Sequence, residues 1–263
     1  MDLLRQTSQA ARQAAPSAPT SVAQTSLLLI GGGGKLGSSV LEQSLVAGRF
    51  ARVWAVVAEP LSSAVRGFMP LPQATLMTPA DLNDRQGMLA ETALIVFERQ
   101  RHSNGRDVVF FQPQPAELLS LAARFRRLGV RHLLVVVPHS PALLPQSLTH
   151  GLASLDEAAV VELDFDHLVF FRAAQHDSAV SARKGLQRLA SWWLSLLRWK
   201  VPSPEQPLPV TALARCVVQL ARCLPAAPRG TRVMPPQDLW ALSQDAEGLP
   251  QAVQRWLDPV RQP

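Results

Sequence analysis

The chain of 263 residues contains no tyrosine. No phenol can therefore serve as acid, base or nucleophile anywhere in it. Cysteine is nearly as scarce, with Cys216 and Cys223 only. They lie in a stretch with helical spacing, on one face and two turns apart, too far for a disulfide. No zinc-finger spacing of Cys and His is present. The two read as buried thiols in a reducing, cytoplasmic compartment. Apolar runs are short, far below the ~20 residues a membrane span needs. The first residues carry no continuous apolar stretch, so no secretory signal is expected. Acidic residues are outnumbered, 20 against 26 basic ones, giving a net charge of +6. The arginines are scattered in local pairs such as Arg126–Arg127 and Arg183–Lys184. That describes a solvated surface, and no aromatic-rich platform for single strands accompanies it, so nucleic acid is not an expected partner.

What is present is an ordinary globular composition, 47% hydrophobic and 17% charged. The length suits one large domain, or one domain with a small lobe. Residues 1–25 are rich in Ala, Gln, Ser and Thr, with Pro16 and Pro19 and few large apolar side chains. Such a segment cannot bury enough apolar surface to order itself and reads as a flexible tail. Its Arg- and Ser-bearing, acid-poor make-up also matches a transit peptide.

From Ser26 the texture changes. "SLLLI" is a short apolar run ending in glycines, as a buried parallel strand does. "KLGSSVLEQSLVAG" follows with helical spacing at Leu36, Val40, Leu41 and Leu45. Strands follow at "RVWAVV", "ATLMT", "ALIVFE", "VRHLLVVVP" and "DHLVFFR". Helices are expected at "PADLNDRQGMLA", at "PAELLSLAARFRRLG" (closed by Gly129), and from about 148 to 161. Six alternations of strand and helix predict a doubly wound parallel α/β sheet, the Rossmann fold, over residues 26–263. From about 175 a C-terminal lobe is expected on the sheet's carboxyl edge. It comprises a tryptophan-bearing helix at 183–200, a proline-rich link, the helix "VTALARCVVQLARCL", a short strand "TRVMP" and two small helices.

The run "GGGGKLG" resembles two kinds of phosphate loop. The triphosphate loop needs G-x-x-x-x-G-K-[ST]; its first glycine would fall on Leu29 and its Ser/Thr on Leu36, so it fails. The dinucleotide spacings are met, by Gly32, Gly34 and Gly37 or by Gly31, Gly34 and Gly37. Gly31 turns the chain off the strand, Gly34 leaves room for a pyrophosphate, and Gly37 lets the helix pack close. The free N–H groups of the helix start face the phosphates. Gly31, Gly33, Gly34, Lys35, Leu36 and Gly37 are thus the candidate cofactor residues. Glu59, just past the second strand, would bond a ribose hydroxyl and repel a 2′-phosphate. The cofactor expected is NAD or NADP, leaning to NAD; Glu59 also reads as a plain loop carboxylate.

Four stretches, "LLLIGGGGKLGSSVLEQSLVAGRFARVWAVV", "FRRLGVRHLLVVVP", "VVELDFDHLVFFRAA" and "LPVTALARCVVQLAR", resemble the atypical, extended branch of the short-chain dehydrogenase/reductase superfamily. Within it the chain is similar to the group around the human Tat-interactive oxidoreductase-like protein. The resemblance covers about Ser26 to Leu242. It implies a Tyr-x-x-x-Lys pair, a serine at the end of the fifth strand and an Arg-Pro-Gly turn after the sixth. Here the tyrosine position falls on Thr149, the lysine position on Ala153, and the serine position on Val137 or Pro138. The turn reads Arg172, Ala173, Ala174. Without any tyrosine, no shift of alignment restores the pair. His139, Ser140 and His150 stand where a substitute acid would be needed, although an ordinary loop role suits each.

Leu186, Leu189, Trp193, Leu197 and Lys200 form one stripe of the tryptophan helix. It reads as lobe packing, or as an interaction surface for an acidic protein partner or a membrane face. Three functions follow. The first is a dinucleotide-binding pseudoenzyme with a cofactor-sensing, regulatory or assembly role. The others are an oxidoreductase with a replaced acid and a cofactor-free scaffold.

Overall fold

The computed structural model describes residues 25–46, 49–61, 65–77, 90–98, 107–139, 154–174, 208–245 and 248–258. The expected tail, the helix within 79–90 up to residue 89, and the tryptophan helix lie outside them.

Seven strands form one parallel sheet: β1 (Ser26–Ile30), β2 (Arg52–Val57), β3 (Phe68–Pro72), β4 (Thr92–Val96), β5 (His132–His139), β6 (His167–Ala174) and β7 (Gly230–Met234). Their spatial order is β3-β2-β1-β4-β5-β6-β7. The order reverses between β1 and β4, which creates the crevice at the strands' carboxyl ends where ligands of such sheets sit. Every residue of β4, and Leu27 to Ile30 of β1, is buried. That explains why both read as continuous apolar runs rather than alternating ones.

The alternation is nonetheless present across the sheet. Leu27, Leu29, Leu94, Val96, Leu134, Val136, Val169 and Phe171 face one layer. That layer holds α1 (Gly34–Leu45), α5 (Val210–Cys223), α6 (Pro236–Gln244) and α7 (Leu249–Leu257). Leu28, Ile30, Ala93, Ile95, Leu133, Val135, Leu168 and Phe170 face the other. There lie α2 (Gln73–Met77), α3 (Leu118–Arg127) and α4 (Leu155–Val161). Cys216 is buried in α5, and burial pushes its thiol up to about 11, as an inert core thiol requires.

Local signals explain the ends. Gly129 has φ +87°. Its N–H bonds the Arg126 carbonyl at 3.1 Å, and the Val130 N–H bonds the Phe125 carbonyl at 3.0 Å. This is a Schellman closure, which needs a left-handed residue after the helix. Ser154 caps α4 by accepting from the Glu157 N–H at 3.2 Å.

Two expectations are corrected. The third strand lies at Phe68–Pro72, and residues 74–77 of the strand expected at "ATLMT" belong to α2 instead. Pro70 and Pro72 hide this strand from pattern reading, but β3 is the sheet's edge, where proline is tolerated. The short strand expected inside the C-terminal lobe is β7, which pairs with β6 and completes the same sheet.

Two buried polar contacts lock β6. At its carboxyl end the Arg172 guanidinium grips the Glu157 carboxylate of α4 in a double hydrogen bond of 2.6 and 2.7 Å. The two side chains are only 2% and 5% exposed. At the opposite end His132 and His167 are cross-strand partners, with their Nδ1 atoms 2.8 Å apart. His167 Nε2 lies 3.0 Å from the Ala227 carbonyl, which can only accept. His167 therefore carries its proton on Nε2, and its bare Nδ1 accepts from the His132 Nδ1–H. Burial, helped by His167 and Arg131, pushes His132 down to about 4. Burial also lowers His167.

Removing one partner of the ion pair strands a buried charge. Arg172→Ala is expected to cost about 3–5 kcal/mol in urea unfolding, while the double change Arg172→Met/Glu157→Leu costs far less. For the histidines, the fold binds fewer protons than the unfolded chain between about pH 4 and the ordinary value near 6.5. Stability is then complete above about 6.5 and drains as pH falls toward 4. Thermal melts across that window should show a shallower loss for His132→Asn, whose amide can still donate to His167, than for wild type.

Candidate functional site

The glycine loop leaves β1 at the switch point. Gly31 has φ +82° and Gly34 φ +71°, a region open mainly to glycine. A Cβ on Gly31 would collide with the Val96 carbonyl of β4, and one on Gly37 with the Gly31 carbonyl. Strand, loop and helix thus meet backbone to backbone. Gly33 is the residue before α1, extended at φ −82° and ψ −179°. It offers no side chain to cap the helix, and the first turn of α1 holds no acidic residue.

The cap comes from a distant residue. Glu98, two positions past β4, turns its carboxylate onto the first turn of α1. The Lys35 N–H donates to Oε1 at 3.0 Å. The Leu36 N–H donates to Oε2 at 3.0 Å and to Oε1 at 3.3 Å. The Gly37 N–H donates to Oε2 at 3.3 Å. Orphan amides at a helix start carry partial positive charge and favour an anion. The space a Cβ would need on Gly34 is filled by the same carboxylate. The Lys35 side chain is exposed, and its amide alone enters this arrangement.

A second segment lies against the loop. Val109 to Phe111 runs antiparallel to the tip of β2, through the Val57–Phe110 bridge. The Val109 carbonyl accepts from the Ala58 N–H at 2.8 Å and the Glu59 N–H at 3.4 Å. The Phe111 carbonyl accepts from the Gly31 N–H at 3.2 Å. The Phe110 ring comes to 3.1 Å from where a Cβ on Gly32 would stand. Glu59 itself is exposed at the end of β2, on the loop's flank.

The structure therefore gathers Gly31, Gly33, Gly34, Lys35, Leu36 and Gly37 at one crevice, with Glu59 at its side. Three amides of one helix turn converge on a single anion. In this arrangement the seat is filled by Glu98.

The positions expected for catalysis are sparser. Val137 and Pro138 pair in register with Arg172 and Ala173, and neither offers a hydroxyl. His139 ends β5 beside Ala174. Thr149, Ala153, Ser140 and His150 lie outside the described residues. Among the described residues, no group of three His, Cys, Asp or Glu could hold a metal ion. No helix among them is long and apolar enough to cross a membrane.

Glu98 and Phe110 are the site residues that pattern reading misses. A signal for Glu98 exists: it is the first charge after the buried run of β4, and β4 neighbours β1 across the switch point. For Phe110, 12 residues further on, there is none.

Comparison with known proteins agrees with the topology. No protein-family model matches the chain, and no curated protein matches it. Among solved structures, the chain is similar to the Bordetella bronchiseptica enzyme WbmG in complex with NAD. That match has 14% identity and a TM-score of 0.50, covering 88% of this chain and 81% of that one. The same enzyme with NAD and UDP matches at 13% identity and TM-score 0.50, covering 86% and 79%. At these identities the likeness shows the fold: a Rossmann-type parallel α/β sheet.

Proposed function

We propose that this is a dinucleotide-binding protein of atypical short-chain dehydrogenase type that does not run the standard reductase chemistry. It acts as a cofactor-sensing, regulatory or assembly protein. The observation that carries the reading is an intact phosphate-loop geometry in a chain with no tyrosine. Positive φ at Gly31 and Gly34, and backbone contact at Gly37, are what a pyrophosphate loop demands. The proton donor that such a loop normally serves is a tyrosine activated by a lysine. Thr149 and Ala153 supply neither group.

NAD is preferred over NADP on the strength of Glu59. Its carboxylate at the end of β2 would accept from ribose hydroxyls and repel a 2′-phosphate. The Bordetella enzyme of the same fold is crystallised with NAD. A second reading, a scaffold needing no cofactor, is favoured by one observation: Glu98 already satisfies the loop's amides.

Calorimetric titration with NADH and NADPH separates these. Saturable NADH binding, at least tenfold tighter than NADPH and without turnover on a carbonyl panel, is the expected result. Robust turnover would refute the non-catalytic reading, and binding of neither dinucleotide would favour the scaffold.

A further inference from the structure

We infer that Glu98 is a built-in competitor for the phosphate seat, an affinity-determining residue that holds the site closed until an anion displaces it. The inference rests on the dinucleotide reading for its ligand, and on geometry for everything else. Three N–H groups of one helix turn converge on one carboxylate, at 3.0 to 3.3 Å. Those amides come from Lys35, Leu36 and Gly37, at the helix start whose free N–H groups the sequence reading turns toward the phosphates. α1 has no cap of its own, because Gly33 stands at the N-cap. The carboxylate fills the gap over Gly34 that the absent side chain leaves.

The chemistry is that of one anion replacing another. Charge-assisted hydrogen bonds are stronger than neutral ones, and the helix start adds a favourable field. An intramolecular carboxylate also has a high effective concentration, which a free ligand must overcome. A ligand that binds only the open state has its affinity reduced by the open fraction. Glu98 sits just beyond the end of β4 and is half-buried, so its side chain can leave the seat without unmaking the strand. The Phe110 segment packs against Gly31 and Gly32 of the same loop. Displacement of Glu98 is thus the event that opens the phosphate seat.

The test compares wild type, Glu98→Gln and Glu98→Ala by calorimetry with NADH and by thermal shift with inorganic pyrophosphate. Glu98→Gln keeps the shape and loses the charge; Glu98→Ala empties the seat. Both variants are expected to bind NADH ten- to a hundred-fold tighter than wild type. Pyrophosphate is expected to raise the melting temperature of Glu98→Ala clearly more than that of wild type. Equal NADH affinity across all three proteins would overturn the competitor role while leaving dinucleotide binding intact. If no protein binds NADH but pyrophosphate still stabilises Glu98→Ala selectively, the competitor role holds and the dinucleotide reading fails. If neither probe distinguishes the variants from wild type, the inference is wrong. Should Glu98→Ala fold poorly, Glu98→Gln gives the same comparison with NADH.

Discussion

The close approach of α1 to β1 is the constraint on which the site depends. Gly37 lies against the Gly31 carbonyl, and Gly31 lies against the Val96 carbonyl, with no room for a Cβ at either. These contacts aim the first turn of α1 at the crevice between β1 and β4. They also create an electrostatic demand. A helix start at the edge of a buried sheet needs an anion or a polar cap, and glycine at the N-cap gives none. In a cofactor-dependent protein the ligand meets that demand. Here the Glu98 carboxylate meets it.

Two buried pairs follow the same logic of local satisfaction. Arg172 is the one residue left of the turn that the family resemblance implies after the sixth strand. It is buried as a paired charge with Glu157 rather than lining an open cleft. His132 and His167 close the far end of β5 and β6, held neutral by burial. None of these groups is placed as an exposed acid or base at the crevice.

Much of the fold was legible in the sequence, for identifiable reasons. β1, β4 and β5 are buried on both faces, so their apolar runs stand out. α3 announces its end through Gly129. β3 was misplaced because its prolines argue against a strand, and only the edge position excuses them. β7 was read apart from the sheet because nothing local tells a strand which neighbour it will join. The glycine loop was legible because its requirements are local. Glu98 leaves only the faint signal of a first charge after β4, because its role depends on β4 lying beside β1, a contact 62 residues apart in sequence. Site residues that act through tertiary contact leave little trace in composition or spacing.

The proposed competition puts the Glu98 carboxylate in the seat of a dinucleotide phosphate. The most direct measurement is the amide ¹H–¹⁵N resonances of Lys35, Leu36 and Gly37 in wild type and in Glu98→Gln, without ligand and then with NADH. The account predicts that these three amides shift upfield in the variant and return downfield as NADH fills the seat. Resonances unmoved by the substitution, or NADH perturbing a different set of amides, would contradict it.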